Sequence, residues 1–216
     1  GGTPAGAADP AGRTKHHRMI GQTLAIARNT FVESVRQPIF FVLIMLGGLL
    51  QIFNTLLSAY SLGYTDTSEV SGDDKMLLDI GLATVFVVAT LLAGFVATAV
   101  LTREIDNKTA LTVISKPVGR PLFIFGKYLG VTGAVGVATL ILLSFFLLAI
   151  RHEVLATARD KIDWPVISFT ALALLTSIGV ATWGNFFYGW VFSSVATMLT
   201  LPTIILAWVG TLFVGE

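Results

Sequence analysis

Apolar and polar positions divide the chain into a short amphipathic opening and five long apolar runs. From 20 to 36 the apolar residues Ile20, Leu24, Ala27, Phe31 and Val35 recur at steps of four, three, four and four. Gln22, Arg28, Glu33 and Arg36 occupy other angles of the same wheel. That spacing predicts a helix lying in a membrane interface. Packing against a partner is the other use of such a face. Pro38 has no N–H and disfavours helix at Gln37, so the chain should turn there. Beyond it come apolar runs over about 39–59, 80–101, 128–150, 166–187 and 190–214. Each is close to the roughly 20 residues that a bilayer core of about 30 Å demands of a helix. A backbone in lipid must satisfy its own hydrogen bonds, so runs this continuous are helices rather than strands. The expected fold is all-α: a polytopic membrane helix bundle of five spans, preceded by an interfacial helix.

Composition sharpens this picture. With 54% hydrophobic and 12% charged residues among 216, and a mean hydropathy of +0.80, no polar shell can be built. The absence of cysteine removes disulfides, thiol nucleophiles and zinc–cysteine sites from this sequence. Residues 1–18 open with Gly, Ala and Pro and continue into Arg13, Lys15, His16, His17 and Arg18. They are expected to form a disordered tail near anionic headgroups, the His pair being also of a kind that binds metal. Residues 19–216 form the membrane domain, with Met19 a natural start. An odd number of spans closing on Glu216 suggests a fragment of a longer chain.

Charge sets the orientation. The tail, the opening helix and the loop over 103–127 hold ten cations: Arg13, Lys15, Arg18, Arg28, Arg36, Arg103, Lys108, Lys116, Arg120 and Lys127. The opposite loops hold four, Lys75, Arg151, Arg159 and Lys161, against eight acids. The positive-inside rule therefore puts the N-terminus and the 103–127 loop in the cytoplasm. The connection near Gly184 to Gly189 carries no charge and has no vote.

Candidate chemistry inside the spans is sparse. No ionisable residue lies deep in any of them, so the markers of a proton relay are missing. Gly47, Gly48, Gly94, Gly130, Gly133, Gly136 and Gly179 point to close helix packing, and Pro202 to a kink. Among polar residues in spans, Gln51 and Asn54 are the candidates for a substrate path. Thr84, Thr98, Ser168, Thr176, Asn185, Ser193, Ser194 and Thr200 could line such a path or make a hydrogen bond between helices, and the second suits them better, since hydroxyls readily bond to helix backbone. In the 103–127 loop, Glu104, Asp106 and Lys108 precede Ala110, Leu111, Val113 and Ile114, closed by Ser115, Lys116 and Pro117. This pattern predicts a short amphipathic helix parallel to the membrane, acidic at its start and basic at its end.

Taken together, Glu33 and Arg36 before the first span and Arg103, Glu104, Thr109, Leu111, Ser115, Lys116, Pro117, Arg120, Gly126 and Lys127 between the second and third resemble the permease subunits of ATP-binding-cassette type-2 exporters. The resemblance covers about 19–214. Lys108 stands where many members have Gly, and a sixth span expected of the family is missing. The resemblance implies a permease dimer, identical or mixed, that docks separate P-loop ATPases in a plasma or inner membrane. The grip would be Glu33, Arg36, Arg103, Glu104, Thr109, Leu111, Lys116, Pro117 and Arg120, the loop helix acting as a cytoplasmic coupling helix. ATP and magnesium would belong to the ATPase partner, with no cofactor, metal, nucleic acid or catalytic residue in this chain. The sequence has no GxxxxGK[ST] loop, and GKYLG at Gly126 lacks its upstream glycine and Ser/Thr. A membrane-anchored scaffold without transport is the alternative. An embedded enzyme is disfavoured because HExxH and GxSxG motifs are missing.

Overall fold

The computed structural model describes residues 10–58, 69–106, 120–152 and 162–214. Over these the chain is all-helical: α1 (Pro10–Val35), α2 (Pro38–Ser58), α3 (Glu69–Asp106), α4 (Arg120–His152), α5 (Trp164–Tyr188) and α6 (Phe192–Val214). Five of these are long and apolar enough to cross a membrane: α2, α5 and α6 whole, Lys75–Arg103 of α3 and Pro121–His152 of α4. The protein is a multi-pass membrane protein.

Local chemistry explains the ends. Pro38 and Pro121 sit in the first turns of α2 and α4, where a missing N–H costs nothing. Asp163 caps α5 by accepting from the Val166 N–H at 3.3 Å. Gly189, at φ 67°, ends α5 in the left-handed conformation that glycine adopts without strain. The Gly189 N–H donates to Asn185 O, the bond of an αL cap, and the Trp190 N–H reaches back to Gly184 O. The helix α6 runs through Pro202 as one element. Beside the proline, the Thr203 hydroxyl donates to Leu199 O at 2.8 Å and Thr200 O at 3.2 Å. Both α3 and α4 extend beyond the apolar windows 80–101 and 128–150, because hydropathy reports lipid thickness whereas helical hydrogen bonding continues into the flanks.

The central element is α4. Half of its apolar length is buried, against 22–39% for the other spans. It packs against α1, α2, α3 and α6, whereas α5 leans almost wholly on α6. Ile44 of α2, Leu92 and Val96 of α3, Ile141 and Leu142 of α4 and Ile204 of α6 are fully buried. The seams are glycine-lined. A Cβ on Gly47 would stand 2.5 Å from Leu142 Cδ2, and one on Gly48 2.9 Å from the Phe145 ring. Gly94, Gly136 and Gly179 meet nothing within 4 Å, so the expected close packing holds for some span glycines and not for these.

The opening helix departs most from expectation. It starts at Pro10, so Pro10–Arg18 belong to α1 rather than to a disordered tail, and residues 1–9 lie outside the described residues. Its predicted apolar stripe splits. Ala27 and Val35 are buried and Phe31 is half-buried, while Ile20 and Leu24 are exposed. What binds α1 to α4 is close approach at two glycines: Gly126 of α4 faces Ile26 and the Thr23 carbonyl, and Gly130 faces the Ala27 carbonyl and Thr30, with Ala27 and Thr30 buried. Backbone-distance packing needs small residues, which the hydropathy wheel does not score. Gly126-Lys-Tyr-Leu-Gly130 is thus a small-xxx-small contact.

On Gly130 a Cβ would lie 2.5 Å from Ala27 O and 2.6 Å from Thr30 Cβ. Gly130→Val is expected to lift α1 off α4 and destabilise the protein by about 1–3 kcal/mol, as overpacking does. Gly136→Ala should change stability by less than about 0.5 kcal/mol. Thermal unfolding in detergent micelles checks both.

Candidate functional site

The α1–α2 elbow organises one end of the bundle. The chain bends within two residues, the Gln37 N–H donating to Ser34 O at 3.2 Å and the Phe40 N–H to Gln37 O at 3.1 Å. Pro38 provides no N–H. The Arg36 carbonyl, beyond the last turn of α1, accepts instead from the Ser193 hydroxyl of α6 at 2.7 Å. Next to it the Phe41 and Phe192 rings meet edge to face with centroids 5.3 Å apart. The Ser34 hydroxyl turns back onto Thr30 O at 2.8 Å. The first and last helices are therefore tied at the point where α1 becomes α2.

A second tie reaches α3. Arg103 Nη1 donates to Glu33 Oε1 at 2.9 Å, with Arg103 half-exposed and Glu33 about a quarter exposed. Two predicted docking residues, seventy positions apart, are thus one ion pair. Arg36 is exposed beside them. Lys127 lies 5.1 Å from the centroid of the Phe123 ring, one turn earlier on α4. Glu104 belongs to the last turn of α3 and Arg120 opens α4. Thr109, Leu111, Lys116 and Pro117, with the coupling helix they were expected to form, lie outside the described residues.

Glu104 and Asp106 were expected at the acidic start of that short helix. They end α3 instead. A carboxylate gains nothing from the dipole at a helix C-terminus, where Arg103 is the favourable charge. The α3 helix nonetheless carries through, because its hydrogen bonding continues past the apolar window.

Gln51 and Asn54 share the buried face of α2 toward the other end of the bundle. Gln51 Nε2 donates to Gly81 O at 2.9 Å and Asn54 Nδ2 to Leu77 O at 3.0 Å, both carbonyls on α3. The Ser58 hydroxyl reaches Asn54 Oδ1 at 3.5 Å. Gln51 Oε1 is buried without a protein partner among the described residues. Their amide N–H groups join two helices, and Gly81 makes this possible. A Cβ there would strike the Phe146 ring and stand 3.1 Å from Asn54 Nδ2. Thr84, Thr98, Ser168 and Thr200 bond to carbonyls of their own helices rather than across a seam, the nearest acceptor for a hydroxyl in apolar surroundings. No group of three His, Asp or Glu able to hold a metal occurs among the described residues.

Sequence reasoning named Ser193 for a bond between helices, and it makes one, but missed Gly81 and the role of Gly126. The GxxxG spacing around Gly126 was a legible signal. Nothing in the sequence joined Ser193 to a carbonyl on α1.

Comparison with family models, curated proteins and solved structures finds no match to the chain.

Asn54→Leu removes a bond between α2 and α3 and is expected to cost about 1 kcal/mol, within the measured range for hydrogen bonds between helices in membranes. Thr98→Val, which loses only a bond within one helix, should leave stability nearly unchanged. Reversible unfolding in mixed micelles compares the two.

Proposed function

We propose that this chain is the membrane-spanning permease subunit of an ATP-driven exporter similar to the ATP-binding-cassette type-2 family, set in a plasma or inner membrane with its N-terminus in the cytoplasm. The Glu33–Arg103 ion pair carries the proposal. It links the helix before the first span to the end of the second, beside the point where 107–119 leave α3. The charge asymmetry of the loops supports the orientation.

In this reading a second permease completes the membrane path and two P-loop ATPases dock beneath, bringing ATP and magnesium. ATP-driven closure of the ATPases pulls on 107–119. The pull reaches α3 through its last turn and α4 through Arg120. Arg103 hands it to Glu33 and α1, and the elbow passes it to α2 and, through Ser193, to α6. Rigid-body tilting of α2, α3 and α6 then opens the path. Glu104 and Arg120 make charge-assisted contacts with the ATPase.

A scaffold without transport is the second reading. One observation favours it: the amides of Gln51 and Asn54, the candidate path residues, are engaged in joining α2 to α3.

The test purifies the tagged full-length protein from its host and measures the ATP hydrolysis that accompanies it. Glu104→Ala and Arg120→Ala should each lower that activity about tenfold or more, since a charge-assisted contact contributes about 1.5 kcal/mol. Arg103→Glu should weaken it, and adding Glu33→Arg should restore it. A protein that inserts normally and carries no ATPase would establish the scaffold reading.

A further inference from the structure

The hairpin of α5 and α6 has no charged residue between Asp163 and Glu216, yet it is bracketed by aromatic side chains. At the elbow end Trp183, Phe187, Tyr188 and Trp190 are all exposed around the Gly189 turn. They form a fixed surface. The Trp183 and Phe187 rings lie 4.3 Å apart, and Tyr188 and Trp190 stack at 5.3 Å. Trp190 also covers Gly184, where a Cβ would strike its ring. The Asn185 amide donates to Trp190 O at 2.7 Å. At the opposite end of α5, Trp164 is exposed next to the capping Asp163.

Two independent observations fix what covers these rings. The first is spacing. At about 1.5 Å of rise per residue, Trp164 and Trp183 stand about 28 Å apart along α5, close to the roughly 30 Å of bilayer hydrocarbon. The second is the level of neighbouring charges. Ser193 is bonded to the carbonyl of Arg36, whose side chain is exposed. A guanidinium seeks water or headgroups, so the start of α6 and the turn before it lie at headgroup depth. Asp163 marks the other surface in the same way. Indole and phenol rings, apolar with one polar atom, favour this layer.

We propose that Trp183, Phe187, Tyr188 and Trp190 form a lipid anchor in the headgroup layer, with Trp164 its counterpart in the opposite leaflet. The occupant is phospholipid at the boundary of acyl chain and headgroup. The anchor is continuous with the exposed apolar faces of α5 and α6. It sets the depth of a hairpin that has no charges to set it. The inference rests on the membrane-spanning fold alone and is independent of any ATPase.

Full-length variants keeping one tryptophan each, the others changed to Phe, are reconstituted in phosphatidylcholine vesicles. Their fluorescence is quenched by lipids brominated near the carbonyl end or near the methyl end of the acyl chain, or by acrylamide in the water. Trp164, Trp183 and Trp190 should each be quenched on the order of twofold more by the shallow bromine than by the deep one, as rings at an interface are, and little by acrylamide. Strong acrylamide quenching without a bromine effect would show a water-facing turn and overturn the proposal. Stronger quenching by the deep bromine would also overturn it. Should the variants fail to fold, the unaltered chain can be photolabelled from diazirines on the headgroup or mid-chain. Headgroup adducts at 183–190 support the anchor, and mid-chain adducts or none there refute it.

Discussion

Helices in lipid cannot be drawn together by the hydrophobic effect, because acyl chains are as apolar as leucine; they associate where backbones approach closely or polar groups meet across a seam. Everything in this bundle follows from meeting that requirement around α4. Gly126 and Gly130 seat α1 at Ile26 and at Ala27 and Thr30, while Gly47 and Gly48 of α2 receive Leu142 and Phe145 of α4. Where glycine alone does not bind α2 to α3, Gln51 and Asn54 do, donating to the carbonyl of Gly81 and to that of Leu77 one turn before it. The one span without such a seam to the centre is α5, which is held through its partner α6.

This arrangement ranks the interactions at the elbow end. An exposed ion pair such as Glu33–Arg103 contributes about 0–1 kcal/mol. The interdigitated seam between α1 and α4 contributes more. The pair is therefore better understood as fixing where Arg103 points than as holding the fold. Because α1 is fastened to α4 by packing and to α6 by the Ser193 bond, a displacement of Arg103 moves a body rather than a side chain. Stiffness of this kind lets small shifts at one end of a packed bundle travel along it.

How much of this was legible in the sequence differs by the kind of force involved. The five spans were, because about 20 apolar residues in a row are a direct imprint of bilayer thickness. So was the turn at Gln37–Pro38, a consequence of one missing N–H. The wheel of α1 predicted a helix and part of its contact, since Ala27 and Val35 are buried and Ile20 and Leu24 are exposed, but it passed over Thr30 and Ser34, which are buried. Hydropathy ranks large apolar residues first, and close packing in lipid selects small ones. Glu104 read as a helix start and ends one instead, because charge pattern alone does not say on which side of a break a residue falls. Gln51 and Asn54 were found as a pair, but their partners are backbone carbonyls on another helix, which carry no sequence signal at all.

The charge-free hairpin shows the same limit from the other side. Topology signals depend on lysine and arginine in loops, so α5 and α6 could not be oriented by their own turn. The structure supplies the missing constraint through one hydroxyl. Ser193 bonds the carbonyl that the α1–α2 break leaves unpaired, and the Phe41–Phe192 contact beside it keeps the two helix starts level. A charged elbow thereby fixes the depth of an uncharged one. Lipid thickness acts on this protein twice: in the length of each apolar run, and in the distance between the rings at the two ends of α5.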